Sequence, residues 1–203
     1  MSGVSDARAS PVRQSACKEK SQRHVGCYTA DATSGALEGW SVTALMKTML
    51  SQWSLIALCF SFAVALGGGF YEHLVLSPLW SKSPPSSFSI IQPGTGVPLQ
   101  RFWIPVHAAI TVFILLSLVL TWGNPTVRRY LLIAVASYVV MRVWSAVFFI
   151  PEMLAFQKVP LDSAPSPELL ARVSRWTFWS WFREPLDIIS FLFSLLALYA
   201  LRR

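Results

Sequence analysis

Two imidazoles, a guanidinium and a carboxylate stand out in this chain because their neighbours are almost all apolar: His73, His107, Arg142 and Asp187. An imidazole moves protons near neutral pH, a guanidinium holds an anionic or enolic group, and a carboxylate orients either one. These four are the catalytic candidates. Glu72, Glu152, Arg183 and Glu184 lie beside them or at matching ends of apolar segments and form a second set, suited to contacting a substrate or a partner. Two further chemistries need weighing. His73 and His107, if they face each other, can hold haem iron or, with Glu72, another metal; otherwise each hydrogen-bonds a carboxylate or a lipid headgroup. No Cys-x-x-Cys pair or zinc spacing accompanies them, and the residue pattern specifies neither a metal nor a cofactor.

The elements that must position these groups are apolar and long. Of 203 residues, 54% are hydrophobic and 13% charged, where a soluble domain carries about 25% charged. That balance excludes an ordinary soluble enzyme, and three cysteines exclude a disulfide scaffold. The formal charge of +7 is spread over the first 47 residues and between apolar runs instead of clustering with aromatics, so no nucleic-acid partner is expected. Four stretches have the roughly 20-residue length that crosses about 30 Å of hydrocarbon: about 52–72, 103–122, 130–150 and 181–201. The predicted fold is therefore all-α, an integral membrane antiparallel four-helix bundle occupying residues 48–203, with the lipid bilayer as its first partner.

Punctuation between the spans refines this picture. Gly123 and Pro125 mark a short turn, residues 74–101 read as an irregular loop, and Ser166-Pro167-Glu168 reads as a helix start. That helix is expected to run along the interface and to enter the membrane with a kink at Pro185. Trp53 and Trp122 mark one interface, and Trp80, Trp103, Trp179 and Trp181 the other. Trp176, Trp179, Trp181, Phe178 and Phe182 either anchor the interfacial helix or line a hydrophobic entrance. Residues 1–47 are polar and predict a disordered tail. Met46 and Met49 stand immediately before the first span and offer alternative start sites. Cys17, Cys27 and Cys59 read as reduced or buried thiols.

Alternate crossings bring the unusual residues to one end. Glu72 and His73 close the first span, His107 opens the second, Glu152 follows the third, and Arg183, Glu184 and Asp187 open the fourth. Arg142 lies roughly 12 Å below the same end, within reach of a long stem. Charge at that depth costs several kcal/mol unless paired or hydrated, so Arg142 requires a carboxylate: Asp187 first, with Glu72, Glu152 or Glu184 as substitutes. Arg183, Asp187, Ser190 and Ser194 share one helical face that should point inward. Ser61, Ala65 and Gly69 form a small-residue stripe leading to His73, while Gly67, Gly68 and Gly69 can alternatively loosen the helix there. Lys47, Arg128, Arg129, Arg202 and Arg203 gather at the opposite end with no nearby acid, which places both termini in the cytoplasm of a cell (inner) membrane and the polar cluster on the exterior side.

The segment GFYEHLVLSPLW after a Gly-rich span and the RWTFWSWFREPLD approach to the last helix resemble the anthrone-oxygenase-like family of small four-helix membrane proteins, over roughly residues 50–203. The resemblance implies a membrane-embedded oxygenase acting on an aromatic, enolisable substrate without a metal. Two functional classes follow. One is an oxidoreductase or cofactor-binding protein for a hydrophobic small molecule, with His73 and His107 carrying protons, Arg142 holding the anion and Asp187 orienting it. The other is a non-catalytic membrane subunit or assembly factor whose polar cluster pairs helices or receives a membrane-protein partner, and in which Arg142 and Asp187 form a purely structural ion pair.

Overall fold

The computed structural model describes the backbone of residues 30–203 and the side chains of residues 42–203. The chain divides into two units, Met1–Met46 and Lys47–Arg203. Helix α1 spans Ala30–Tyr71. Residues 30–47, expected as tail, are thus helical: no proline occurs between Pro11 and Pro78, and a run containing Ala, Leu, Met and Glu sustains a helix once it is nucleated. The rest of that expected tail, residues 1–29 with Cys17 and Cys27, lies outside the described residues.

The second unit is helical throughout its regular structure, with no strand among the described residues. After α1 the chain continues through a π turn, Glu72–Leu76, into α2, Ser77–Ser81. A 3₁₀ turn at Ser86–Ile91 leads to α3, Gln100–Thr121. Helix α4, Pro125–Trp144, continues through a second π turn, Ser145–Phe149, into α5, Ile150–Phe156. Helices α6, Pro167–Ser180, and α7, Arg183–Leu201, complete the chain. Four helical stretches are long and apolar enough to cross a membrane: Val42–Ser81, Gln100–Thr121, Pro125–Phe156 and Pro167–Leu201.

Both π turns have the same local cause. Their sequences, EHLVLSP and SAVFFIP, each carry proline at the seventh position. In a regular α-helix Pro78 and Pro151 could not donate to the carbonyls of Leu74 and Val147, and their rings would press on them. Widening the turn by one residue relieves that clash: the Ser77 N–H donates to the Glu72 carbonyl and the Ile150 N–H to the Ser145 carbonyl. The start of the expected 74–101 loop, residues 74–81, is therefore helix, since proline at the start of α2 is tolerated once the turn before it is widened.

Helix α4 begins where the sequence places a turn. Its Asn124 side chain accepts from the N–H groups of Thr126 and Val127 at 3.1 and 3.2 Å, and Pro125 occupies the first helical position. Asn124→Ala is expected to lower unfolding stability by about 1 kcal/mol, read as a shifted midpoint in detergent titration; an unmoved midpoint would mean the cap contributes nothing. Ser166 caps α6 in the same way, accepting from the Leu169 N–H at 3.1 Å. The chain breaks at Trp181–Phe182, between α6 and α7, instead of kinking at Pro185. Pro185 has no N–H to give the Trp181 carbonyl, so a continuous helix would fail there; restarting at Arg183 leaves Pro185 in a first turn, where no donor is needed.

Two apolar cores result. The larger joins Leu55, Leu58, Phe62 and Ala65 of α1 to Ile110 and Ile114 of α3, Leu131, Tyr138 and Met141 of α4, and Ala197 of α7. The smaller joins Trp80, Phe88, Phe149, Phe156, Val173 and Trp176 and fastens α6 over the ends of the longer helices. Trp80, expected at an interface, is 1% exposed; the helix persists to Ser81 and so carries its indole inward against Phe88, Phe156 and Trp176. Trp53, Trp122, Trp179 and Trp181 remain exposed. The Ser54 and Ser117 hydroxyls join α1 to α3 at 3.1 Å, and Ser137 donates from α4 to the Leu186 carbonyl of α7 at 2.8 Å.

Candidate functional site

Between the two cores lies a cavity of about 920 Å³, and its wall includes all four catalytic candidates, His73, His107, Arg142 and Asp187, together with Glu72, Arg183 and Glu184. Glu152 is not among the lining residues. It points to α6, where its carboxylate pairs with Arg172 at 3.0 Å in a partly exposed contact.

His73 is fixed from both sides. Its Nε2 lies 3.2 Å from Glu184 Oε1, its Nδ1 lies 3.4 Å from Ser180 Oγ, and the Trp181 indole stacks on the ring at 4.5 Å. Gly69 leaves room for this carboxylate, since a Cβ at that position would collide with the Glu184 carboxylate oxygens, and one at Gly68 would collide with the Phe102 ring. Ser61, Ala65, Gly69 and His73 are all buried, and the helix stays regular through all three glycines. The glycines at 68 and 69 thus serve packing and do not loosen the helix.

His107 has a different setting. Its Nδ1 is 3.2 Å from the Tyr138 hydroxyl, which itself donates to the His107 carbonyl at 3.3 Å. The Tyr138 hydroxyl thus reaches both Nδ1 and the carbonyl of His107, and a ring protonated at Nδ1 satisfies both contacts and leaves the Nε2 lone pair free. Trp103 stacks on the ring at 5.5 Å and donates its Nε1–H to Glu72 Oε2 at 2.9 Å. The π turn after α1, α3 and α4 are thereby connected through one aromatic–carboxylate chain.

The two arginines divide the remaining work. Arg183 sits over the Phe149 ring at 4.3 Å and the Trp176 ring at 5.7 Å, and Trp176 is itself held by donating to the Phe149 carbonyl at 3.1 Å. Trp176 is thus cavity wall, while Phe178, Trp179, Trp181 and Phe182 are exposed. Arg142 forms no ion pair among the described residues, so the expected Arg142–Asp187 bridge is absent; the two pairs present are His73–Glu184 and Arg172–Glu152. Asp187 is on the inward stripe with Ser190 and Ser194, all 9% exposed or less. Its Oδ1, with Glu184 Oε2 and Arg183 Nε, is buried and has no hydrogen-bond partner. These three polar atoms lie among the cavity's lining residues, and leaving such groups unmet costs about 1–3 kcal/mol each.

A metal centre fits this arrangement poorly. Among the described residues no three of His, Cys, Asp and Glu converge as a ligand set, and His73 has both ring nitrogens engaged. Comparison with family models, curated proteins and solved structures finds no match.

Sequence reasoning did not single out Tyr138, which stands one turn before Arg142 on the same helical face. A phenol in an apolar span needs a hydrogen-bond partner, and that requirement was the available signal.

Proposed function

We propose that this chain is an integral protein of the inner cell membrane, with four antiparallel spans and both termini cytoplasmic, whose exterior-leaflet cavity binds a hydrophobic molecule through an enolic or anionic head and removes a proton from it. The antiparallel arrangement is supported by contacts at the two ends: Ser54 meets Ser117 at one, whereas Glu72 meets Trp103 and Gly69 abuts Glu184 at the other. The single observation carrying the functional reading is that ionisable groups from four sequence-distant segments line one cavity of about 920 Å³ with aromatic and aliphatic walls.

His107 Nε2 is the base in this reading, with the ring proton on Nδ1 toward the Tyr138 hydroxyl. Arg142 and Arg183 stabilise the enolate as it forms, and Asp187 and Glu184 accept from hydroxyl groups beside it. The resemblance to anthrone-oxygenase-like proteins implies an oxygenase for an aromatic, enolisable substrate, and the reaction proposed on that basis is a diaryl methylene and O₂ giving a diaryl ketone and water. Its two hydrogens leave as water, O₂ is the oxidant, and one of its oxygen atoms remains in the ketone.

The test uses the full chain in lipid nanodiscs with 1,8-dihydroxyanthrone under air. Oxygen uptake matched by quinone absorbance is expected above the protein-free rate, falling by about 10²-fold or more in His107→Phe with binding retained. The same preparation, examined by native mass spectrometry, separates the second class of function. The buried His73–Glu184 contact favours a helix-pairing role for that part of the cluster. A stoichiometric protein partner with no small molecule and no turnover would replace the enzyme reading with that of a non-catalytic subunit.

A further inference from the structure

We propose that the cavity is entered sideways from the bilayer, through the cleft between α3 and the α4–α5 stretch, by a membrane-dissolved amphipath whose polar head moves in first. This rests on the ligand-binding reading above and specifies its substrate class: a molecule partitioned in lipid, not one delivered from water.

The cavity has a roof and an open flank. Its roof is the loop before α3, with Ile91, Gln92, Pro93, Val97 and Pro98 in the wall. That loop is tied down: the Val97 N–H donates to the Ile90 carbonyl at 2.8 Å, the Gly96 N–H to the Gln92 carbonyl at 2.9 Å, and Gln157 Nε2 of the segment after α5 to the Ile91 carbonyl at 2.8 Å. Gly96 is required there, because a Cβ would strike the Ile90 carbonyl.

The flank is different in composition and in packing. Ile104, Ala108 and Val112 recur every four residues along one stripe of α3, and Ile150 and Leu154 do the same on α5. All five both line the cavity and lie on the outer surface, with Ile104 67%, Val112 59% and Leu154 51% exposed. Exposed residues line the cavity on the loop side too, at Pro93, Gly94, Val97, Pro98 and Gln100, but there the chain is held shut by the hydrogen bonds just given, whereas among the described residues no hydrogen bond joins α3 to α5 and the exposed wall residues of this flank are aliphatic apart from Thr111. Behind it, the buried unpartnered atoms Asp187 Oδ1, Glu184 Oε2 and Arg183 Nε form the far wall. An apolar rim with a polar floor suits a ligand whose ring or tail stays in hydrocarbon while its head exchanges lipid-interface water for these groups.

Nitroxide labels decide where the mouth opens. In the full chain with Cys17, Cys27 and Cys59 changed to Ser and reconstituted in phosphatidylcholine vesicles, A108C and V112C labels are expected to collide strongly with O₂ and weakly with a water-soluble nickel chelate, as V119C on the same helix does. Strong nickel collision at 108 and 112, matching a label at exposed Arg175, would overturn the proposal. Separately, Ala108→Trp is expected to slow uptake of vesicle-dissolved 1,8-dihydroxyanthrone at least tenfold, whereas Gln157→Ala, which frees the roof, leaves the rate unchanged; the reverse pattern would place the route through the loop. If the unmodified chain binds no 1,8-dihydroxyanthrone, the ligand reading fails, while the collision pattern still decides the mouth.

Discussion

Arg142→Gln is expected to leave the protein folded and to weaken binding of 1,8-dihydroxyanthrone by roughly ten- to a hundredfold, equivalent to about 1.5–3 kcal/mol for a hydrogen bond to a charged group. The expectation follows from what Arg142 lacks. It lines the cavity yet pairs with no carboxylate among the described residues, so removing its charge strands no buried partner. Gln keeps a neutral donor on a shorter stem, so the side chain stays polar while the charge is lost. Binding by titration and unfolding by detergent midpoint should move independently, the first strongly and the second hardly at all. Should Arg142→Gln instead prevent accumulation of folded protein, the residue would be a structural intramembrane ion and the cavity would lose its anion holder.

His73 should behave in the opposite way. His73→Phe leaves the Glu184 carboxylate, 6% exposed, without its 3.2 Å partner, and breaking a buried pair from one side costs about 3–5 kcal/mol. Little folded protein is therefore expected after detergent extraction. The double replacement His73→Phe with Glu184→Met removes both polar groups together and is expected to recover most of that loss, because an apolar pair of similar volume avoids the stranded charge. Equal instability of single and double variants would show that the imidazole–carboxylate contact is not what joins α1 to α7. The two experiments together assign opposite duties within one cavity, with Arg142 serving the ligand and His73 serving the helix pair.

What could be read in the residue order differs from what could not for identifiable reasons. Span positions, the cap at Ser166 and the inward stripe of Asp187, Ser190 and Ser194 depend on local periodicity and on capping chemistry, which are properties of neighbours in sequence. The continuation of the first helix to Ser81 was hidden because Pro78 reads as a terminator, and only the widened turn at Glu72–Leu76 makes it compatible with helix. That same turn explains why Trp80 is core and not interface. The absence of an Arg142–Asp187 pair among the described residues has another reason: depth along a helix fixes height but not the distance across a bundle.

By itself, the order of residues determined that four apolar stretches exist and that a few ionisable groups fall near one end of them, since hydropathy and rise per residue act along the chain. Only the tertiary structure decided which of those groups meet. Gly69 left room for the Glu184 carboxylate beside His73, the Tyr138 hydroxyl came within reach of His107 Nδ1, Arg183 came to rest on Phe149, and Glu152 met Arg172. Each outcome depends on side-chain volume and angle between helices remote in sequence, quantities that no local pattern carries.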